Sequence, residues 1–262
     1  MTSGMKKLED YIVITSRLAV IVARTADLPL ASLALKIRRL SRASFAGWAS
    51  SHRSRIWEYP WVIREVTRGS ASGSPVAIDI GAGRSPVPIA LRHLGMRTIV
   101  VDPGPGSEKD RGATGKEWEW TDYTKFGVET QRTTMEDMVI APGTVGFAVS
   151  VSVIEHLPAQ SRRAGIARVA DALRPGGHFI VTVDLARGTD ALFNMAAGAA
   201  VESADEHGKL GDLLSEVAAV GLRLERLCRS PLSVGACDVV GISFRKPASE
   251  SMTSSPKLGA DS

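Results

Sequence analysis

A chain of 262 residues with 44% hydrophobic and 23% charged residues can bury the core of one sizeable α/β domain plus an extension, which excludes a fibrous or wholly disordered protein. The formal net charge of +4 is unevenly placed, with 12 Lys or Arg against 5 Asp or Glu in residues 1–70 and 20 against 23 in the remainder. There is no basic stripe with interleaved aromatics, so nucleic acid is not an expected partner; Cys228 and Cys237 lack the spacing of a zinc or CxxC site, which fits a reducing, cytoplasmic setting.

In chain order, residues 8–26 mix apolar and charged positions at helical spacing, Pro29 breaks the run, and a second helical segment spans about 30–40. The stretch Tyr11 to Ala23 is interrupted by Arg17 and preceded by Glu9 and Asp10, which spoils both a signal peptide and a membrane span. Residues 1–56 therefore read as a basic helical arm. Its charge suits an anionic acceptor, an acidic membrane surface touched peripherally, or simply solvated helix faces. RIWEYPWVIREV (Arg55 to Val66) concentrates aromatics, and the breaker-rich GSASGSP (Gly69 to Pro75) separates it from the rest of the chain.

From Val76 onward, short β-branched runs alternate with helical patterns, as in a parallel sheet covered on both faces. Strands are predicted at Val76–Ile80, Thr98–Asp102, Gly146–Val151, His178–Val183, Leu222–Cys228 and Asp238–Phe244. The last two are joined too briefly for a crossover, so the sheet should end in an antiparallel pair. Residues 248–262 are Ser-rich and poor in apolar side chains, the composition of a disordered tail.

The chemistry is concentrated in AIDIGAGRSP (Ala77 to Pro86) and TIVVDPG (Thr98 to Gly104). A strand, a glycine turn, a helix and a second strand ending in an acid form a pocket for an adenosine-bearing ligand. Gly81, Ala82 and Gly83 admit the ligand to the backbone, and Asp102 can accept hydrogen bonds from both ribose hydroxyls. NAD is disfavoured on two counts: Pro86 stands where a dinucleotide fold has its third glycine, and the Asp79 carboxylate would repel a pyrophosphate while suiting an ammonium or sulfonium.

AIDIGAG, VVDPG, SVSVIEHL and LRPGGHFIVTV stand in the order and approximate spacing of the class I S-adenosylmethionine-dependent methyltransferases, and residues 57–246 resemble that superfamily. The resemblance implies a Rossmann-like three-layer α/β sandwich with a mostly parallel seven-stranded sheet and an antiparallel last strand, occupying 57–247. It implies S-adenosyl-L-methionine as cofactor, with Asp79 at its methionine end, Gly81, Ala82 and Gly83 lining it, Asp102 on the ribose and Ser150 beside the methionine moiety. Where relatives place an acid near the adenine amino group this chain has TTMEDM, so that contact falls to Thr134 or Glu136 and the backbone of Met135.

Methyl transfer needs alignment, exclusion of water and a place for a proton. His156 and Asp184 are the candidates to take that proton, with bracing of the following helix the alternative role for His156 and ordering of a loop the alternative for Asp184, while Glu155 is read as bracing a helix, His178 as structural and His207 as lying on a surface loop. The segments Trp57 to Trp61 and Trp118 to Tyr123 either line an acceptor pocket or staple the arm to the domain. Ser150-Val151-Ser152-Val153 lacks the motif of base-methylating relatives, and no clustered oxygen ligands suggest a metal. The expected acceptor is a small molecule or glycan methylated on oxygen; a catalytically inert adenosine-ligand binder and an NAD-dependent oxidoreductase remain the rivals.

Overall fold

The computed structural model describes residues 10, 12, 13, 16, 17, 20, 54–104 except 70–74, 121–193, 207–231 and 237–248. Most of the expected arm, the tail beyond 248, and Trp118 and Trp120 lie outside the described residues. The six described positions between 10 and 20 are helical, as the spacing there predicts.

Seven strands form one sheet: β1 (Val76–Ile80), β2 (Arg97–Val101), β3 (Glu129–Gln131), β4 (Val145–Val151), β5 (Leu173–Ala186), β6 (Arg223–Arg229) and β7 (Cys237–Arg245). Their order is β3-β2-β1-β4-β5-β7-β6. β1 pairs parallel with β2 and β4, and β4 with β5. β7 lies antiparallel between β5 and β6. The short connection before β7 thus becomes a hairpin, as its length requires.

Side chains alternate across the sheet with the strand period of two. On one face Ile78, Ala148, Phe179 and Val181 pack with Ile166 and Val169 of α3 (Ala159–Ala172) and with Leu213 and Val217 of α4 (Leu210–Ala219). On the other, Ala77, Phe147, Val149 and Ile180 pack against α1 (Arg55–Gly69) and α2 (Val87–His93). The result is the three-layer α/β sandwich.

Helix α1 is bound into that second layer by its aromatics. Trp57 and Trp61, one turn apart, stack with centroids 5.6 Å apart, and both are buried. The Trp61 ring occupies the space a Cβ on Gly241 of β7 would need, at 2.7 Å. Of the arm, Ile12 is buried in a small cluster with Ala82, Ile89, Val100 and Tyr123.

Beyond shifts of one residue at several strand ends, two departures from the expected strands have a physical reason. β3 was not among the predicted strands, because its Glu-Thr-Gln sequence has no apolar alternation; pairing with β2 alone makes it a strand. β5 begins at Leu173 rather than His178, because Leu173 pairs with Val145 ahead of a register shift that absorbs Pro175, Gly176 and Gly177.

Candidate active site

The strand order reverses between β1 and β4, where chain crossovers diverge to opposite sides and leave a crevice beyond the carboxyl ends of the strands. The turn after β1 borders it. Gly81 has φ 71° and Gly83 φ 50°, left-handed conformations that glycine adopts without strain. A Cβ on Gly81 would meet Val153 at 2.6 Å, whereas one on Gly83 would meet no atom within 4 Å. Gly83 therefore turns a bare backbone toward open space.

Asp102, directly after β2, braces this turn. Its Oδ2 accepts the Gly83 N–H and its Oδ1 the Gly104 N–H, each at 2.8 Å. From behind, the buried Tyr123 hydroxyl donates to the Ser85 carbonyl at 2.7 Å. Tyr123 is thus a staple of the turn rather than an acceptor contact. Asp79, on β1, is 1% exposed, and its Oδ2 has no hydrogen-bond partner among the described residues. Burial, reinforced by the Asp102 charge, pushes its carboxyl well above the ordinary range.

The carboxyl ends of β4 and β5 carry a second group of polar side chains. Ser150 is fully buried and donates to the Ile80 carbonyl at 3.1 Å, tying β4 to the end of β1. Ser152 sits at φ 47°, the one described non-glycine residue with positive φ. Glu155 and Asp184 meet where the Asp184 N–H donates to Glu155 Oε1 at 3.1 Å. Glu155 Oε2 and Asp184 Oδ1 have no hydrogen-bond partner among the described residues. Burial, with Glu58 nearby, pushes the Asp184 carboxyl up to about 7, and Arg55 pulls the other way; burial and the neighbouring Asp184 raise Glu155 too. His156 is partly exposed, with its Nε2 4.0 Å from Glu155 Oε1.

The remaining expected positions are more scattered. Thr134 Oγ1 is 3.0 Å from Asp137 Oδ2. The Met135 side chain packs on Gly165 of α3, so only its backbone faces outward from that core, and the Glu136 carbonyl accepts a bond from Arg168. His178 pairs with Glu225 at 3.1 Å and stacks on Phe147. His207 is a correction: it is 2% exposed, its Nδ1 lies 3.2 Å from the Leu157 carbonyl, and its own carbonyl accepts from buried Arg162. Arg162 draws that segment inward, which the polar local sequence does not reveal.

Glu58 is a residue that sequence reasoning missed. It is fully buried on α1 and reaches Ser152 and Thr182 across the sheet. The available signal was a lone acid inside the aromatic run WEYPW, which a buried helix tolerates only when the acid has partners.

Residues 78–181 match the family described as methyltransferase domain. These residues are thus identified as a methyltransferase domain. A search of curated proteins finds no match. Among solved structures, the methyltransferase shares its fold with the 1,6-didemethyltoxoflavin N1-methyltransferase of Burkholderia thailandensis (TM-score 0.52, 19% identity, covering 85% of this chain and 93% of that one). It also resembles the geranyl diphosphate C-methyltransferase of Streptomyces coelicolor A3(2) (TM-score 0.52, 13% identity, 78% and 88%), and an S-adenosylmethionine-dependent methyltransferase of Methanosarcina mazei (TM-score 0.51, 12% identity, 70% and 97%). At these identities the likeness speaks for the fold of the methyltransferase. Glu58 and Asp184 lie outside the segment that matches the family.

Proposed function

We propose that this methyltransferase transfers a methyl group to an oxygen of a small molecule or glycan, with Asp184 accepting the proton that the acceptor releases. The observation that carries this reading is the Asp184 carboxyl: buried, with Oδ1 unpartnered among the described residues, held near neutrality, and on the edge of the sheet that bears the glycine turn. It stands two strand spacings, about 10 Å, from β1.

The residues fit the donor. The Asp79 oxygen, without a hydrogen-bond partner among the described residues, suits an ammonium, the Gly83 backbone leaves room for bulk, and the Asp102 carboxylate at the end of β2 suits ribose hydroxyls. S-adenosylmethionine, when bound, supplies a methyl group already activated on a sulfonium. Asp79, Gly81, Ala82, Gly83 and Asp102 would hold it; Thr134, Met135, Glu136 and Ser150 complete the proposed lining. What remains for the chain is to orient the acceptor, exclude water and take a proton. A carboxylate that titrates near 7 is matched to that task at neutral pH, and His156 on the neighbouring turn is the alternative base.

Two further points support a small acceptor. The toxoflavin and geranyl diphosphate enzymes of the same fold act on small molecules. Ile12 packs in the same cluster as Ala82 of the glycine turn, which supports the arm covering this side of the site. No helix among the described residues is long and apolar enough to cross a membrane.

The test is to incubate the protein with fractionated small-molecule extract and 13C-methyl-labelled S-adenosylmethionine, and to read the methyl carbon shift of the product. An ether or ester methyl signal is expected from the parent, reduced at least tenfold in Asp184→Asn. A label found on nitrogen or carbon, or full turnover in the variant, overturns the reading. S-adenosylhomocysteine, and not NAD, should raise the thermal midpoint.

A further inference from the structure

We propose that Glu58 is a positioning residue for methyl transfer: it reaches from α1, outside the segment that matches the family, to fix the bend at Ser152 that aims the turn carrying Glu155 and His156. The inference rests on the active-site reading above and assigns Glu58 a part in it.

Glu58 Oε1 accepts hydrogen bonds from Ser152 Oγ and Thr182 Oγ1, both at 2.6 Å, and Oε2 accepts from Arg55 at 2.9 Å. Helix α1 is held on the sheet by Trp57 and Trp61, which flank Glu58 in sequence. The two hydroxyls come from different strand ends. Thr182 lies on β5 two residues before Asp184, hence on the same face, and Ser152 directly follows β4.

The bend at Ser152 is unusual. A left-handed φ of 47° is uncommon for a residue with a Cβ and persists where its surroundings hold it. Here the Ser152 N–H donates to the Thr182 carbonyl at 2.9 Å, and the Ser152 hydroxyl is tied to Glu58. Three groups depend on the direction the chain takes from that point. Val153 lands against Gly81, at the contact that leaves no room for a Cβ there. The adjoining 3-10 turn, Ile154–His156, presents His156, and Glu155 receives the Asp184 N–H. One buried carboxylate on an N-terminal helix thus sets the relation between the glycine turn and the proposed proton acceptors. By contrast, the described hydrogen bonds of Glu58 run to Arg55, Ser152 and Thr182, and none to Asp79 on β1 or to Asp102 after β2.

The consequence is a split between binding and turnover. In Glu58→Ala, S-adenosylhomocysteine should bind within threefold of the parent affinity by calorimetry, while turnover at saturating S-adenosylmethionine falls at least tenfold. Glu58→Gln, which keeps a carbonyl acceptor, should recover most of the loss. A readout that needs no acceptor is amide hydrogen exchange on the ligand-free full chain. Exchange at Ser152, His156 and Leu157 should accelerate at least tenfold in Glu58→Ala while β1 amides hold their rates.

Should Glu58→Ala not fold, Ser152 carries the test. Ser152→Gly accepts the left-handed bend unaided and should retain at least fivefold more turnover than Ser152→Ala, which loses the hydroxyl but keeps the Cβ. Equal behaviour of those two variants, uniform acceleration of exchange, or loss of affinity in step with turnover overturns the proposal. The exchange pattern stands whatever atom is methylated, so its failure is separable from failure of the O-methyl reading.

Discussion

Asp79 and Asp184 are buried acids with different consequences. Asp79 holds its proton above the ordinary carboxylate range because water is excluded and Asp102 is near; an ammonium at its bare oxygen would favour the ionised form. Binding of S-adenosylhomocysteine is therefore expected to release a proton. Calorimetry in buffers of differing ionisation enthalpy measures this, and Asp79→Asn should abolish the release. A binding heat independent of buffer would place the ammonium elsewhere. Asp184 titrates at about 7 in the folded protein against about 3.9 when unfolded, so the folded state carries an extra proton between those values. Its contribution to stability is fully present below the lower value and is lost as pH rises through 7. Asp184→Asn should then melt higher than the parent at pH 8 and show no such gain at pH 4. If Asp184 is the base, turnover of the parent should rise with pH through about 7, and the variant should lose that limb.

Helix α1 and strand β7 show what one missing side-chain atom permits. Trp61 sits on Gly241 where a Cβ would stand 2.7 Å from the ring. Gly241→Ala must displace either the ring or the strand, and overpacking of this kind costs about 1–3 kcal/mol; urea denaturation should show a lower midpoint. A midpoint equal to the parent's would mean that α1 yields freely. At this scale the sequence was informative where apolar periodicity is strong, as in β1, β4 and β7. It was silent for β3, whose Glu129, Thr130 and Gln131 bear no apolar pattern and owe their strand geometry to β2. The placement of the glycine turn after β1 and of Asp102 after β2 was legible because each strand and its turn are adjacent in the chain. Glu58 was not: its partners lie 94 and 124 residues away, and only the packing of α1 brings them together. His207 was misjudged for the same reason, since burial is conferred by Arg162.

Arg162 also joins the whole of one helical layer. It is fully buried on α3; its Nε and one terminal nitrogen hold Glu216 of α4 at 2.7 and 2.9 Å. Its other terminal nitrogen donates to the carbonyls of His207, at 2.7 Å, and Leu157, at 3.3 Å. Leu157 directly follows the turn that presents His156, so the clamp ties α3, α4 and the site-bearing loop into one body. Taking the guanidinium away would leave the nearly buried Glu216 carboxylate and two carbonyls without it. Breaking a buried pair from one side costs about 3–5 kcal/mol, whereas replacing both partners by apolar groups of similar volume is often nearly neutral. Arg162→Met should therefore lower the urea midpoint strongly, and adding Glu216→Leu should recover a large part of that loss. The double variant still lacks the bond to Leu157, so its stability should return further than its turnover. Full recovery of turnover in the double variant would show that the clamp serves the fold alone, with no bearing on how the loop meets the site.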